Sequence, residues 1–288
     1  HKRGKIDLYP HQKEAINAWI KNNMCGIFEM ATGTGKTFTA LGCVDKVFVE
    51  EPKVLLIITC PYQHLLSQWK NKIEKFGIAH HKIIEAYSGK RWKDDLANLL
   101  IDLHLGYVNR LIVLTTHRTF SADDFVRIIK DNKGNFRIFL IADEVHWLGA
   151  KKSRSGLIEE YDFKLGLSAT PKRWFDDLGT QIIYNYFGDV VFEFSLKDAI
   201  TKINPATGCT YLTPYRYIPY FVSLTDDELD EYFEKTKSIA RRYNQANDDE
   251  KDDILESLLF RRADIIKNAF KKYSALEYIL DKLGRDVK

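Results

Sequence analysis

Cysteine, methionine and proline are scarce: the 288 residues hold four, two and seven of them. The cysteines, at 25, 43, 60 and 209, show no pair at metal-ligand spacing, so no zinc ribbon or finger is expected. Three of the four fall in apolar segments, which reads as reduced, buried thiols in a cytoplasmic chain rather than a disulfide framework. Long apolar runs are missing too. The longest, Val54–Cys60, is far short of the roughly 20 residues that a membrane span needs, so no membrane partner is expected. An excess of one charge is absent: Lys and Arg total 43 against 40 for Asp and Glu, a net charge of +3. Any footprint on nucleic acid must therefore be local. The chain opens on His1, and Lys2, Arg3 and Lys5 lead into no apolar segment. No signal peptide is expected from these residues, and the chain looks like a piece excised from a longer protein. With 45% hydrophobic residues and no internal repeat, disordered and collagen-like classes are excluded.

What is there alternates. Strand candidates are Cys25–Met30, Val54–Cys60, Lys82–Tyr87, Arg110–Thr115, Arg137–Ala142 and Lys164–Ser168. Between them lie stretches of helical length: Lys36–Glu50, His64–Phe76, Trp92–Leu105 and Ser121–Lys130. Val54–Ile58 and Ile138–Ile141 are continuous apolar runs, and continuity means burial on both faces of a parallel sheet. The order predicts an α/β, doubly wound domain over 1–195, with ligands at the carboxyl ends of the strands. A Tyr- and Pro-rich stretch follows, and closely spaced prolines exclude a central strand, so 196–224 is expected to be an extended connector. Over 225–288 a helical hairpin is expected. Thr225 and Glu228 form a capping box, and Leu259, Ile266, Tyr273 and Leu280 recur every seven residues along a long second helix. The acidic block Asp248–Asp253 reads as a solvated turn or a first helical turn.

Two motifs carry chemistry. Ala31-Thr32-Gly33-Thr34-Gly35-Lys36-Thr37 follows an apolar strand and opens a helix. Its glycines let backbone N–H groups turn toward phosphate oxygens, with the positive end of the helix behind them. Lys36 would reach the outer phosphates and Thr37 would ligate Mg²⁺. The one departure is Met30, where the strict pattern has Gly or Ala. The second motif is the apolar strand ending in Asp143-Glu144-Val145-His146. Beside a phosphate loop, Asp143 would anchor Mg²⁺ and Glu144 would polarise the attacking water.

With these residues in place, the chain resembles the superfamily 2 helicases and translocases. Asp143-Glu144-Val145-His146 looks like the DExH box, and Leu167-Ser168-Ala169-Thr170-Pro171 like the Ser-Ala-Thr motif that follows it. Leu8-Tyr9-Pro10-His11-Gln12 stands where that superfamily has a Q-motif. Cys60–Trp69 resembles motif Ia, and Val113-Leu114-Thr115-Thr116 a later nucleic-acid motif. The flavour is closest to XPB-like DNA translocases and to the motor subunits of restriction systems. The resemblance implies a RecA-like P-loop lobe with a mostly parallel sheet, with ATP and Mg²⁺ as cofactors. Gln12 would select adenine. Thr32, Gly33, Thr34, Gly35, Lys36 and Thr37 would hold the triphosphate. His146, Ser168 and Thr170 would couple nucleotide state to grip on nucleic acid, DNA more than RNA. Pro61, Gln63, Thr115 and Thr116 would lie along the backbone of one strand, contacts that carry little sequence information. Lys172-Arg173-Trp174 is a basic–aromatic trio suited either to stacking on nucleic acid or to helix-start packing.

The Gln-x-x-Gly-Arg-x-x-Arg motif of a second lobe is not found in these residues, so the chain is expected to be the first lobe with its helical linker, and to turn over ATP very slowly alone. Three other readings compete. A P-loop GTPase needs an Asn-Lys-x-Asp base reader, and Asn71-Lys72-Ile73-Glu74 ends in Glu within a helical stretch. A DExH RNA helicase would use the same backbone contacts. A nucleotide-gated DNA clamp without turnover would not need Glu144. His80-His81 lacks partners for a metal site.

Overall fold

β-branched and aliphatic runs set the strands, and their flanking glycines and polar residues end them. The computed structural model describes residues 6–78, 81–173, 176–245 and 251–284. His80, Trp174 and the Asp248-Asp249-Glu250 part of the acidic block lie outside the described residues. The strands are β1 (Cys25–Met30), β2 (Val54–Cys60), β3 (Lys82–Ala86), β4 (Arg110–Thr116), β5 (Arg137–Asp143), β6 (Phe163–Ser168) and β7 (Val190–Phe194). The helices are α1 (Pro10–Lys21), α2 (Lys36–Glu50), α3 (Gln63–Phe76), α4 (Lys93–Leu105), α5 (His117–Phe120), α6 (Asp123–Asp131), α7 (Asp177–Phe187), α8 (Leu196–Thr201), α9 (Asp226–Gln245), α10 (Lys251–Lys267) and α11 (Lys271–Leu283). Two 3₁₀ segments, Val145–Gly149 and Lys151–Gly156, follow β5.

The seven strands form one sheet in the order β3-β4-β2-β5-β6-β1-β7. Every pairing is parallel. β2 lies in the middle and is buried along its whole length. Its side chains alternate between two cores. Val54, Leu56 and Ile58 join Trp19, Val44 and Trp69 on one face, while Leu55 and Ile57 join Leu96, Phe125 and Phe187 on the other. The continuous apolar runs thus mark strands covered on both sides, as their sequence required. β7 was not expected. It is a short edge strand that is only partly buried, so it lacks the continuous run that identifies a central one.

The chain divides into two compact units between Tyr215 and Arg216. The stretch expected to be an extended connector, 196–224, is without regular secondary structure only from Thr213 onward. Before that, Ser195 and Asp198 form a capping box that starts α8, Ala199 is buried, and Tyr211 and Leu212 pack against the core of the first unit. In the second unit, the expected capping box is present: the Thr225 N–H donates to Glu228 Oε2 at 2.8 Å, and the Glu228 N–H donates to Thr225 Oγ1 at 3.3 Å. α9 and α10 pack as the expected hairpin, with the Arg262 guanidinium 5.3 Å from the Tyr232 ring centroid. The long second helix, however, is broken. The Phe270 N–H donates to Glu228 Oε1 at 2.8 Å, so α11 starts afresh on a carboxylate far away in sequence. The seven-residue repeat crosses this break, and Leu259, Ile266, Tyr273 and Leu280 stay exposed.

The sheet core makes a direct prediction. Leu56 is fully buried in β2, so Leu56→Ala costs about 2–5 kcal/mol in urea unfolding. A loss below about 1 kcal/mol would show that this strand is not the centre of the core.

Candidate nucleotide site

The carboxyl ends of β1 and β5 open onto one cleft of about 580 Å³, with the end of α3 on its side. Tyr9, Gln12, Thr32, Gly33, Thr34, Gly35, Lys36, Thr37, Lys72, Lys75, Asp143 and Glu144 line it. β1 and β5 are not neighbours, since β6 runs between them, but loop Ala31–Gly35 and residues Asp143-Glu144 reach the same space.

The loop is locked by its own backbone. Gly35 has φ +92°, a left-handed conformation, and a Cβ there would come within 2.3 Å of Gln12 Nε2. Both reasons make glycine necessary at the start of α2. The Thr34 hydroxyl donates to Ala31 O at 2.7 Å, and His11 Nε2 lies 3.0 Å from Thr34 O, so α1 buttresses the loop from behind. Lys36 Nζ donates to Met30 O at 3.1 Å. Met30 is the last residue of β1, and its side chain is fully buried. Only its carbonyl faces Lys36, so the position accepts a large apolar side chain where the strict motif has glycine. Burial pushes the Lys36 pKa down, and the charges of Glu144 and Asp143 pull it back up.

Asp143 is held at both oxygens. The Glu144 N–H donates to Oδ1 at 3.1 Å, and Trp69 Nε1–H donates to Oδ2 at 2.9 Å. Glu144 adopts φ 50°, ψ 53°, a left-handed conformation that costs a non-glycine residue of order 1–3 kcal/mol. Burial raises its pKa above the ordinary glutamate range, Lys36 opposes the rise and Asp143 adds to it. His146 Nδ1 lies 3.6 Å from Glu144 Oε2 and 3.1 Å from Ser168 Oγ, which also accepts from the Thr170 N–H at 3.1 Å. Glu144, His146, Ser168 and Thr170, read as hydrolytic and coupling residues from the sequence, thus gather in one place: His146 and Thr170 bond Ser168 Oγ, and Glu144 lies beside His146. Burial lowers the His146 pKa, as do the nearby Arg173 and Lys36 charges.

Other sequence-derived residues stand differently. Gln12 lines the cleft with its amide engaged: its Oε1 accepts from the Tyr9 N–H at 2.8 Å and its Nε2–H donates to Gly35 O at 3.2 Å. One amide hydrogen is left for a base. Pro61 follows the end of β2, Gln63 opens α3, and Thr115 and Thr116 end the neighbouring β4, so the structure brings these four to one edge. The Thr hydroxyls are turned inward, however. Thr115 donates to Ala86 O at 2.7 Å, and Thr116 caps α5. Gln63 is exposed, its Nε2 3.4 Å from Ser88 O. Arg173 is spent within the fold: its Nε donates to Asp176 Oδ2 at 2.7 Å, and its Nη1 bonds His146 O.

Sequence reasoning missed Trp69, Lys72, Lys75 and His117. Trp69 stood at the end of the motif Ia segment and Lys72 in the rejected Asn71-Lys72-Ile73-Glu74. The signal was helical spacing: 69 and 72 share one face of α3. His117, at the start of α5, is buried with Nδ1 2.9 Å from Thr59 Oγ1.

The donor set suits a small hard dication. Among the described residues no group of three or more His, Cys, Asp or Glu could hold a metal ion by itself. Mg²⁺ does not need one, because it takes one or two carboxylates, water and phosphate oxygens. Thr37 Oγ1 and the Asp143 carboxylate are of that kind.

Comparison with known proteins fits this geometry. The family model described as "Type III restriction enzyme, res subunit" matches residues 5–173. The chain belongs to that family. Its first unit resembles the first RecA-like lobe of superfamily 2 helicases and translocases. The chain is 28% identical over 231 residues to the DNA 3'-5' translocase XPB2 of Sulfurisphaera tokodaii, covering 80% of this chain and 44% of that protein. It is 27% identical over 225 residues to the type I restriction enzyme EcoAI endonuclease subunit of Escherichia coli, covering 75% of this chain and 24% of that one. It therefore spans less than half the length of either relative. Among solved structures, the type ISP restriction-modification enzyme LlaBIII bound to DNA superposes with a TM-score of 0.57 at 18% identity, over 69% of this chain and 16% of that one. The helicase domain of Pyrococcus furiosus Hef gives 0.51 at 15% identity, over 92% and 55%. These two likenesses carry the fold. No helix among the described residues is long and apolar enough to cross a membrane.

His117 makes a prediction about pH. Burial lowers its pKa from 6.5 to about 3. The unfolded chain binds that proton near 6.5 and the folded chain does not, so its contribution to stability is present above 6.5 and is lost as pH falls toward 3. In melting curves across this range, His117→Gln loses less stability on acidification than the unsubstituted chain. Equal pH dependence would mean that the imidazole is not buried neutral.

Proposed function

We propose that the first unit binds ATP with Mg²⁺ in this cleft and serves as half of the motor of an ATP-driven translocase acting on DNA. The observation that supports it most is the convergence of Lys36, Thr37, Asp143 and Glu144 on one cleft at the carboxyl edge of a parallel sheet. Loop N–H groups and the start of α2 hold phosphate oxygens. Lys36, desolvated yet flanked by two carboxylates, places a fixed positive charge against them. Thr37 and Asp143 hold the metal, which when bound draws charge from the transferred phosphoryl oxygens. Glu144 takes a proton from the attacking water. The Glu144–His146–Ser168–Thr170 group is the path by which a change at the phosphate reaches the segment after β6. Arginine fingers, worth about 10³–10⁵ in rate at related sites, would come from outside these residues. DNA is favoured over RNA as the track by relatives whose names carry DNA translocation and restriction.

The test is binding of a fluorescent ATP analogue by the 288-residue chain, with ATPase assays of the whole protein on duplex DNA, single-stranded DNA and RNA. Lys36→Ala abolishes binding, whereas Glu144→Gln retains it and abolishes turnover. Glu144 acts ionised and its pKa is raised, so the acid limb of the ATPase profile lies above the ordinary glutamate value and the rate falls as pH drops through it. Turnover stimulated only by RNA would overturn the track assignment, and unimpaired turnover in Glu144→Gln would overturn the role of the glutamate.

Trp69 is a positioning residue within this reading. Phe retains most of its buried volume and removes the N–H that fixes Asp143. Trp69→Phe weakens the apparent Mg²⁺ affinity of the nucleotide-bound chain by about 10–100-fold, with a smaller effect on metal-free nucleotide binding. An unchanged Mg²⁺ titration would assign Trp69 to packing alone.

A further inference from the structure

Two cations lining the cleft, Lys72 and Lys75, belong to no part of the phosphate loop, and Lys72 is bonded to it. α3 descends from Gln63 and presents Trp69 and Lys72 on the same face. Trp69 holds the Asp143 carboxylate, and Lys72 Nζ donates to Thr37 Oγ1 at 3.0 Å. One helix thus touches both oxygen donors assigned to the metal. Lys72 lines the cleft with Lys36, and its charge is near enough to disfavour the protonated Lys36. An ammonium on the Thr37 hydroxyl takes the lone pair that a divalent ion would use, and its remaining N–H bonds face a cleft bearing two carboxylates.

We propose that Lys72 is a built-in cation of the nucleotide cleft, standing at the Thr37 hydroxyl in place of the divalent ion and neutralising triphosphate charge before that ion arrives. The inference rests on the nucleotide reading of the cleft. Two consequences follow. The chain binds ATP in the absence of Mg²⁺ better than a site with Lys36 alone. Mg²⁺ must also displace the ammonium from Thr37, so Lys72 narrows the gap between metal-free and metal-bound affinity.

The experiment is equilibrium titration of the 288-residue chain with mant-ATP, in EDTA and in saturating Mg²⁺. The unsubstituted protein, Lys72→Met and Lys72→Arg are compared, with thermal melts confirming that each folds. Methionine keeps the unbranched stem and removes the charge; arginine keeps the charge. Lys72→Met is expected to lose about tenfold in metal-free affinity, the scale of one charge-assisted hydrogen bond. Its affinity in Mg²⁺ should change by less than about threefold, and Lys72→Arg should restore most of the metal-free binding. An equal loss in both buffers, or none in either, would overturn the role of Lys72 and leave the nucleotide site standing. No binding by the unsubstituted protein in either buffer would bring down the nucleotide reading and this inference together.

Discussion

Burial of a wholly parallel sheet on both faces is the constraint on which the rest depends. With helices covering β2, β5 and β6 from either side, there is no solvated face on which polar side chains can gather. They emerge where strands end. Parallel pairing brings those ends to one edge, and the chain must turn there into helices whose N-termini point at the same space. The phosphate loop, Asp143-Glu144 and the later turns of α3 are therefore neighbours although the sequence separates them widely, and although β6 lies between β1 and β5.

That edge concentrates opposing charges. The half-buried Lys36 and Lys72 and the exposed Lys75 share a cleft with Asp143 and Glu144. Burial disfavours the charged form of each desolvated group, and the neighbours of opposite sign offset it; the opposed shifts of Lys36 and Glu144 show both effects. A cleft poised this way favours a ligand that is itself highly charged, because the ligand completes pairings that are otherwise partial. The left-handed backbone of Glu144 fits the same picture. Local strain is held in place by the Asp143 carboxylate below it and by the His146–Ser168 contact beside it.

The sheet was legible because periodicity reports burial. Val54–Ile58 and Ile138–Ile141 have no polar alternation, and that alone places them in the centre. β7 was illegible for the complementary reason, since an edge strand with partly exposed side chains carries no such run. The phosphate loop and the Asp-Glu pair were legible as contiguous motifs whose chemistry needs adjacent residues. Trp69, Lys72 and His117 were not, because their roles arise from contacts across 74, 35 and 58 positions. The break between α10 and α11 is of the same kind. Only Asn268 marks it locally, with neither proline nor glycine present, and the new helix start is bonded to a carboxylate 42 residues earlier.

α3 gives the cleft a second side that motif reading does not supply. A loop and a strand end would suffice to hold a phosphate and a metal, but each alone is free to relax. A helix anchored in the core by Leu66, Ile73 and Phe76, and bonded to Asp143 through one turn and to Thr37 through the next, ties the two together. The same helix begins at Gln63, directly after the end of β2, among the residues assigned to nucleic acid. A shift at Thr37 or Asp143 therefore acts on a rigid body of 14 residues whose other end lies just beyond β2, and no chain of small side-chain movements is required.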